Sequence, residues 1–180
     1  MTLVKEIQKF LRSKFEKLKL TRKDFSKQSG IPYNNITNIM NELRSNPQMY
    51  TILKIANYFE CFIDEVVGRN EYLSLLQVKG RFKDLSSDDI NNNLKEFLKY
   101  KVVKQDINLY VLGKKIGFNY SIHNFINGSR KQKTLNSQIV VALADYFQIS
   151  LDEMVGRINP VTSDNVKPSQ QNPNCDTELK

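Results

Sequence analysis

The sequence predicts an all-α protein made of two tandem domains of four to five helices each, joined by a linker and followed by a disordered tail. Two observations carry that expectation. Apolar residues recur at helical spacing, and one stretch of the chain returns later. Ile55 to Arg69 reads IANYFECFIDEVVGR and Leu143 to Arg157 reads LADYFQISLDEMVGR, with 8 of 15 positions identical at an offset of 88. At an offset of 87, Leu3, Ile7, Phe10 and Leu11 fall on Ile90, Leu94, Phe97 and Leu98, the i, i+4, i+7, i+8 stripe of an amphipathic helix. Gly30 and Gly117 share that offset. The boundaries that follow are 1–69 for the first domain, 70–87 for the linker, 88–157 for the second domain and 158–180 for the tail.

Composition sets the class. With 180 residues and 40% hydrophobic content, the chain can bury packed cores. Its 27 Lys and Arg against 19 Asp and Glu leave a net charge of +8, which attracts polyanions. Cys61 lies in an apolar pattern and Cys175 in a polar tail, so neither a disulfide framework nor a metal cluster is expected. The N-terminal alternation of Leu3, Lys5, Glu6 and Ile7 is neither a secretory signal nor a membrane span, and a cytoplasmic protein without membrane contact is expected.

The first domain can be read element by element. Helix one runs from about Leu3 to Lys17, its Lys5, Lys9, Lys14 and Lys17 forming a solvated face. Thr21 is an N-cap, with Asp24 favouring the dipole of a short second helix that Gly30 ends. Pro32 starts a third helix reaching about Asn41, whose apolar residues Ile36, Ile39, Met40 and Leu43 turn Tyr33, Asn34, Asn35, Thr37 and Asn38 to the other side. A fourth helix covers about Thr51 to Phe59, and a fifth about Ile63 to Val67. Cys61, Tyr58, Phe59, Tyr146 and Phe147 read as packing residues. The connector, which contains EYLSLLQVKGRF, shows no clear period, and the Pro, Ser, Asn and Gln of the tail bury too little surface to offset ordering entropy.

This order of signals resembles the lambda-repressor-like helix-turn-helix family, also called the Cro/cI or XRE type. The residues that carry the resemblance are LTRKDFSKQSGIPYNNITNIMNE with LKIANYFECFIDEVVG, and LGKKIGFNYSIHNFINGSR with VALADYFQISLDEMVG. It implies a cytoplasmic transcriptional regulator, repressor-like, whose partner is double-stranded DNA. The third helix of one or both copies would lie in the major groove while helix two and the adjoining loops hold phosphates. Base contacts would come from Tyr33, Asn34, Asn35, Thr37 and Asn38 in copy one and from Asn119, Tyr120, Ser121, His123 and Asn124 in copy two, since Asn pairs bidentately with adenine. Phosphate contacts would come from Arg22, Lys23 and Arg44, and from Arg130, Lys131 and Lys133.

Copy two departs from the family pattern. Where the resemblance implies a polar residue at the start of helix two, copy one has Arg22 and copy two has Leu109. The run Leu109, Tyr110, Val111, Leu112 marks either an intramolecular or dimer contact, or a copy that has lost part of its DNA grip. Pairing as a homodimer and pairing between the two repeats are both open. A second functional reading is a protein-interaction module such as an antitoxin or adaptor. His123 is the only histidine, without a metal or catalytic partner in the pattern. No phosphate loop, metal spacing or paired acid and base is visible, so a non-enzyme without cofactor is expected, and no sensor domain for a small effector is apparent.

Overall fold

The computed structural model describes residues 2–43, 46–75, 82–128 and 133–158. Among these the regular structure is helical throughout: α1 (Leu3–Leu18), α2 (Arg22–Ser29), α3 (Tyr33–Met40), α4 (Met49–Tyr58) and α5 (Ile63–Val66), then a 3-10 helix (Asn70–Leu75), then α6 (Ser87–Lys104), α7 (Leu109–Lys115), α8 (Ser121–Ile126), α9 (Ser137–Phe147) and α10 (Leu151–Met154). No helix among the described residues is long and apolar enough to cross a membrane.

Local signals fix several of the helix ends. α1 buries Val4, Ile7 and Leu11 along one stripe and stops where Lys19 adopts a left-handed conformation. The Thr21 hydroxyl accepts from the Asp24 backbone N–H at 3.1 Å, capping α2, and Gly30 ends it at φ +66°, a conformation that costs glycine nothing. α6 opens with a reciprocal capping box in which Ser86 and Asp89 each accept from the other's backbone N–H. The Asn108 side chain accepts from Tyr110 and Val111 N–H and caps α7.

The apolar faces meet in one core that draws on both halves of the chain, from Val4, Ile7 and Phe25 to Leu143, Leu151 and Val155. Phe25 sits among Phe15, Tyr58 and Phe59 with ring centroids 4.9 to 5.4 Å away, and Phe97 packs edge-on against Phe147 at 5.5 Å. Tyr58, Phe59 and Phe147 are thus in packing contacts, and Cys61 is buried, its thiol pushed up to about 12 chiefly by that burial.

Where α5 and α10 meet, the contacts are exchanged. The Ile63 N–H donates to Asp152 Oδ2 at 2.7 Å, and the Leu151 N–H donates to Asp64 Oδ2 at 2.8 Å. Arg69 pairs with Asp64 and donates through Nη2 to the Ile149 carbonyl at 3.1 Å. Arg157 pairs with Asp152 at 2.6 Å and donates through Nη1 to the Cys61 carbonyl at 2.8 Å. The connector contributes aromatic lids, Tyr72 lying 4.0 Å from the Arg69 guanidinium and Phe82 lying 3.8 Å from that of Arg157. Burial pushes the carboxyls of Asp64 and Asp152 up despite their arginine partners, Asp64 to about 7.

Several boundaries differ from those expected. Pro32 is the N-cap of α3 rather than its first residue, and α4 starts at Met49, two residues before Thr51. α3 ends at Met40, Glu42 turns to φ +55°, and Leu43 is left exposed instead of completing the apolar stripe. Lys14 is not simply solvated: its ammonium lies 3.3 Å from Glu65 and over the Phe10 ring, tying α1 to α5. The connector, which lacked a period, begins with the 3-10 helix; residues 76–81, like 159–180 of the expected tail, lie outside the described residues.

Candidate nucleic-acid interface

α2 and α3 meet through a turn that the sequence builds from three residues. Gly30 supplies the left-handed step, Ile31 is buried as the anchor, and Pro32 sits at the N-cap of α3 with φ −54°. The Ser26 hydroxyl donates to the Ile31 carbonyl at 2.8 Å and Lys54 Nζ donates to the Gly30 carbonyl at 3.3 Å, so the turn is held from α2 and from α4. With Ile36, Ile39 and Met40 buried, α3 must present its other side outward.

That side carries the expected residues. Tyr33 and Asn34 are exposed, and Asn35, Thr37 and Asn38 are half-buried. The Thr37 hydroxyl is buried without a hydrogen-bond partner among the described residues. Lys23 is exposed on α2, and Arg22 reaches from the start of α2 to the Asn41 side chain at 3.5 Å, spanning the outer edge of the two helices. Arg44 lies outside the described residues. The arrangement offers amide and hydroxyl groups flanked by cations, with no cluster of His, Cys, Asp and Glu able to hold a metal among the described residues. Such a face suits hydrogen bonding to base edges, with phosphates on either side.

The face around α8 has different chemistry. Asn119 and Tyr120 precede the helix, Tyr120 being its N-cap, so only Ser121, His123 and Asn124 of the expected set stand on α8 itself. Close packing sets this geometry: the Phe118 N–H donates to the Gly113 carbonyl at 2.8 Å, and a Cβ on Gly113 would lie 2.2 Å from the Asn119 carbonyl oxygen. Tyr120 is exposed, and Ser121, His123 and Asn124 are half-buried. The His123 ring stacks on Tyr110 with centroids 4.8 Å apart, and its Nε2 is 2.9 Å from the Asn127 amide nitrogen. Lys133 is exposed, while Arg130 and Lys131 lie outside the described residues.

Tyr110 and Asn41 were missed as neighbours of the interface. The signal for Tyr110 was present in the apolar run from Leu109 to Leu112; its stacking on His123 depends on how α7 crosses α8. Asn41 lies just past α3, where nothing in the sequence marked it as the acceptor for Arg22.

Comparison with known proteins places this geometry. The helix-turn-helix family model matches residues 11–66, which contain α2 and α3. An uncharacterized HTH-type transcriptional regulator of Rickettsia prowazekii is 39% identical over 72 residues, covering 38% of this chain and 78% of the relative. One from Rickettsia conorii is likewise 39% identical over 72 residues, covering 38% of this chain and 66% of the relative. No solved structure matches significantly. Turn, exposed helix and sequence relationship agree: the chain belongs to the XRE-type helix-turn-helix family of DNA-binding transcriptional regulators.

Proposed function

We propose that the chain is a sequence-specific, repressor-like regulator that acts by binding rather than catalysis, with α3 and α8 each entering the major groove of double-stranded DNA. In this reading the two helical segments are tandem copies of one domain paired within a single chain. The exchanged contacts between α5 and α10 carry it. Ile63 and Leu151, Asp64 and Asp152, Arg69 and Arg157, and Cys61 and Ile149 are all 88 residues apart, and each contact made by one member is returned by the other. Reciprocity of that kind is the mark of a two-fold, isologous interface. A two-fold pair of such domains presents its recognition helices to successive turns of one DNA face, roughly 34 Å apart.

Mobility-shift and footprinting measurements on duplexes selected from a random pool test this. One chain should protect two half-sites, with affinity falling steeply as salt rises because phosphate contacts release counterions. Absence of salt-sensitive binding would refute the reading, and two chains per duplex would refute the internal pairing. Asn34→Ala with Asn38→Ala should lower specific affinity by about tenfold or more, the value of a lost bidentate base contact. Asn119→Ala with Asn124→Ala should cost less, because Asn119 lies outside α8 and Arg22 has Leu109 as its counterpart. Equal losses would show that both copies read bases alike.

A further inference from the structure

The faces of α3 and α8 share a register but not a chemistry. At an offset of 86, Asn34 and Thr37 give way to Tyr120 and His123, and at 87 Lys23 gives way to Tyr110. The three rings form one assembly. Tyr110 and His123 stack at 4.8 Å with 29° between their planes, and Tyr120 stands edge-on to Tyr110 at 5.7 Å. The contact of Asn127 with Nε2 holds the imidazole from its other end. Tyr120 nevertheless keeps 64% of its surface exposed and Tyr110 keeps 49%.

The charge of the stretch that carries these rings favours one occupant. From Ile107 to Ala144 the sequence contains no Asp or Glu, and among its described residues Lys114 and Lys115, on α7, and Lys133 are exposed. A stretch of one sign favours a polyanion over an apolar protein surface. In the major groove, duplex DNA presents one apolar group to such rings, the C5 methyl of thymine.

We propose that Tyr110, Tyr120 and His123 form an aromatic platform that seats thymine methyl groups in the half-site facing α8. This rests on the reading of α8 as a major-groove helix. The second half-site is then chosen by methyl burial, the first by amide pairing along α3, and the operator has unequal halves.

The test uses the full chain and a duplex that the chain itself selects from a random pool, resynthesised with deoxyuridine replacing thymidine in one half or the other. Uracil pairs as thymine does and lacks only the methyl. In one half each replacement at the platform should weaken binding by about fourfold, the worth of one buried methyl carbon. In the Tyr110→Lys, Tyr120→Asn variant, which carries the residues found in copy one, that penalty should disappear. Both side chains are exposed, so the melting curve of the variant should stay close to that of the parent. Specific binding that is indifferent to uracil in both halves would overturn the proposal, as would a uracil penalty that persists in the variant. Specific binding unchanged by both uracil and the tyrosine substitutions would instead mark the platform as a protein-docking face. Loss of all specific binding by the parent chain would remove the major-groove reading itself.

Discussion

Arg69 and Arg157 stand 88 residues apart at corresponding positions, and their surroundings treat them differently. Every guanidinium nitrogen of Arg69 has a partner: Nη1 pairs with Asp64, Nη2 meets the Ile149 carbonyl, and Nε donates to Asp145 at 2.7 Å. Arg157 has the same first two partner types, but Asn57 stands where the register would place a counterpart of Asp145, and its amide donates to Asp84 instead. Arg157 Nε and Nη2 have no hydrogen-bond partner among the described residues, and the Phe82 ring covers the guanidinium. One interface thus keeps its exchanged backbone contacts while the supporting contacts diverge. What both halves must preserve is an acceptor carboxylate facing a backbone N–H across the contact.

The largest expected effect lies there. Arg157 is 0% exposed, so Arg157→Ala leaves Asp152 buried without its counter-charge and should cost about 3–5 kcal/mol in a denaturant melt. Arg69→Ala likewise strands the buried Asp64 and should cost a similar amount, since its second partner, Asp145, is exposed and returns to water. A larger loss from Arg69 would show that its extra ion pair, and not burial, decides the difference.

A second contrast concerns the two turns. Ser26 in α2 corresponds to Gly113 in α7 at an offset of 87, and the serine donates to the turn while the glycine makes room for the Asn119 carbonyl. Gly113→Ser should therefore destabilise by about 1–3 kcal/mol through overpacking, whereas Ser26→Gly should cost about 1 kcal/mol for a lost hydrogen bond and added chain freedom. Thermal melts of the two variants measure the contrast. Similar losses would mean that the α7–α8 approach relaxes easily.

A further effect is one of pH. Burial raises the Asp64 carboxyl from 3.8 to about 7 in the folded chain, so the folded state binds more protons than the unfolded one across that range. Stability from this group is present below the lower value and is lost as pH rises through the higher. Asp64→Asn removes the titration, so the difference in melting temperature between parent and variant should be greater at about pH 5 than at about pH 8. Asp152→Asn should behave alike, since burial raises that carboxyl too. A pH-independent difference would mean that Arg69 holds Asp64 ionised throughout.

Much of this was legible in the chain itself. Periodicity placed α1, Thr21 and Gly30 marked the ends of α2, and the burial of Ile36 and Ile39 left Asn34 and Asn38 on the outer face, because helix geometry converts spacing directly into direction. The duplicated segments pointed to Asp64 with Arg69 and Asp152 with Arg157 only as repeated letters. That each aspartate accepts from the other segment's backbone depends on how α5 meets α10, and residues almost ninety positions apart carry no local signal of their contact. Leu43 was misplaced because helical periodicity does not announce where a helix stops. The apolar start of α7 was visible as an anomaly, but its meaning waited for the crossing of α7 and α8, which sets Tyr110 against His123. The sequence by itself determined the helices and the outward face of α3, through local spacing and capping. Only the tertiary structure decided the exchanged interface and the aromatic platform, because both depend on the packing of separate helices.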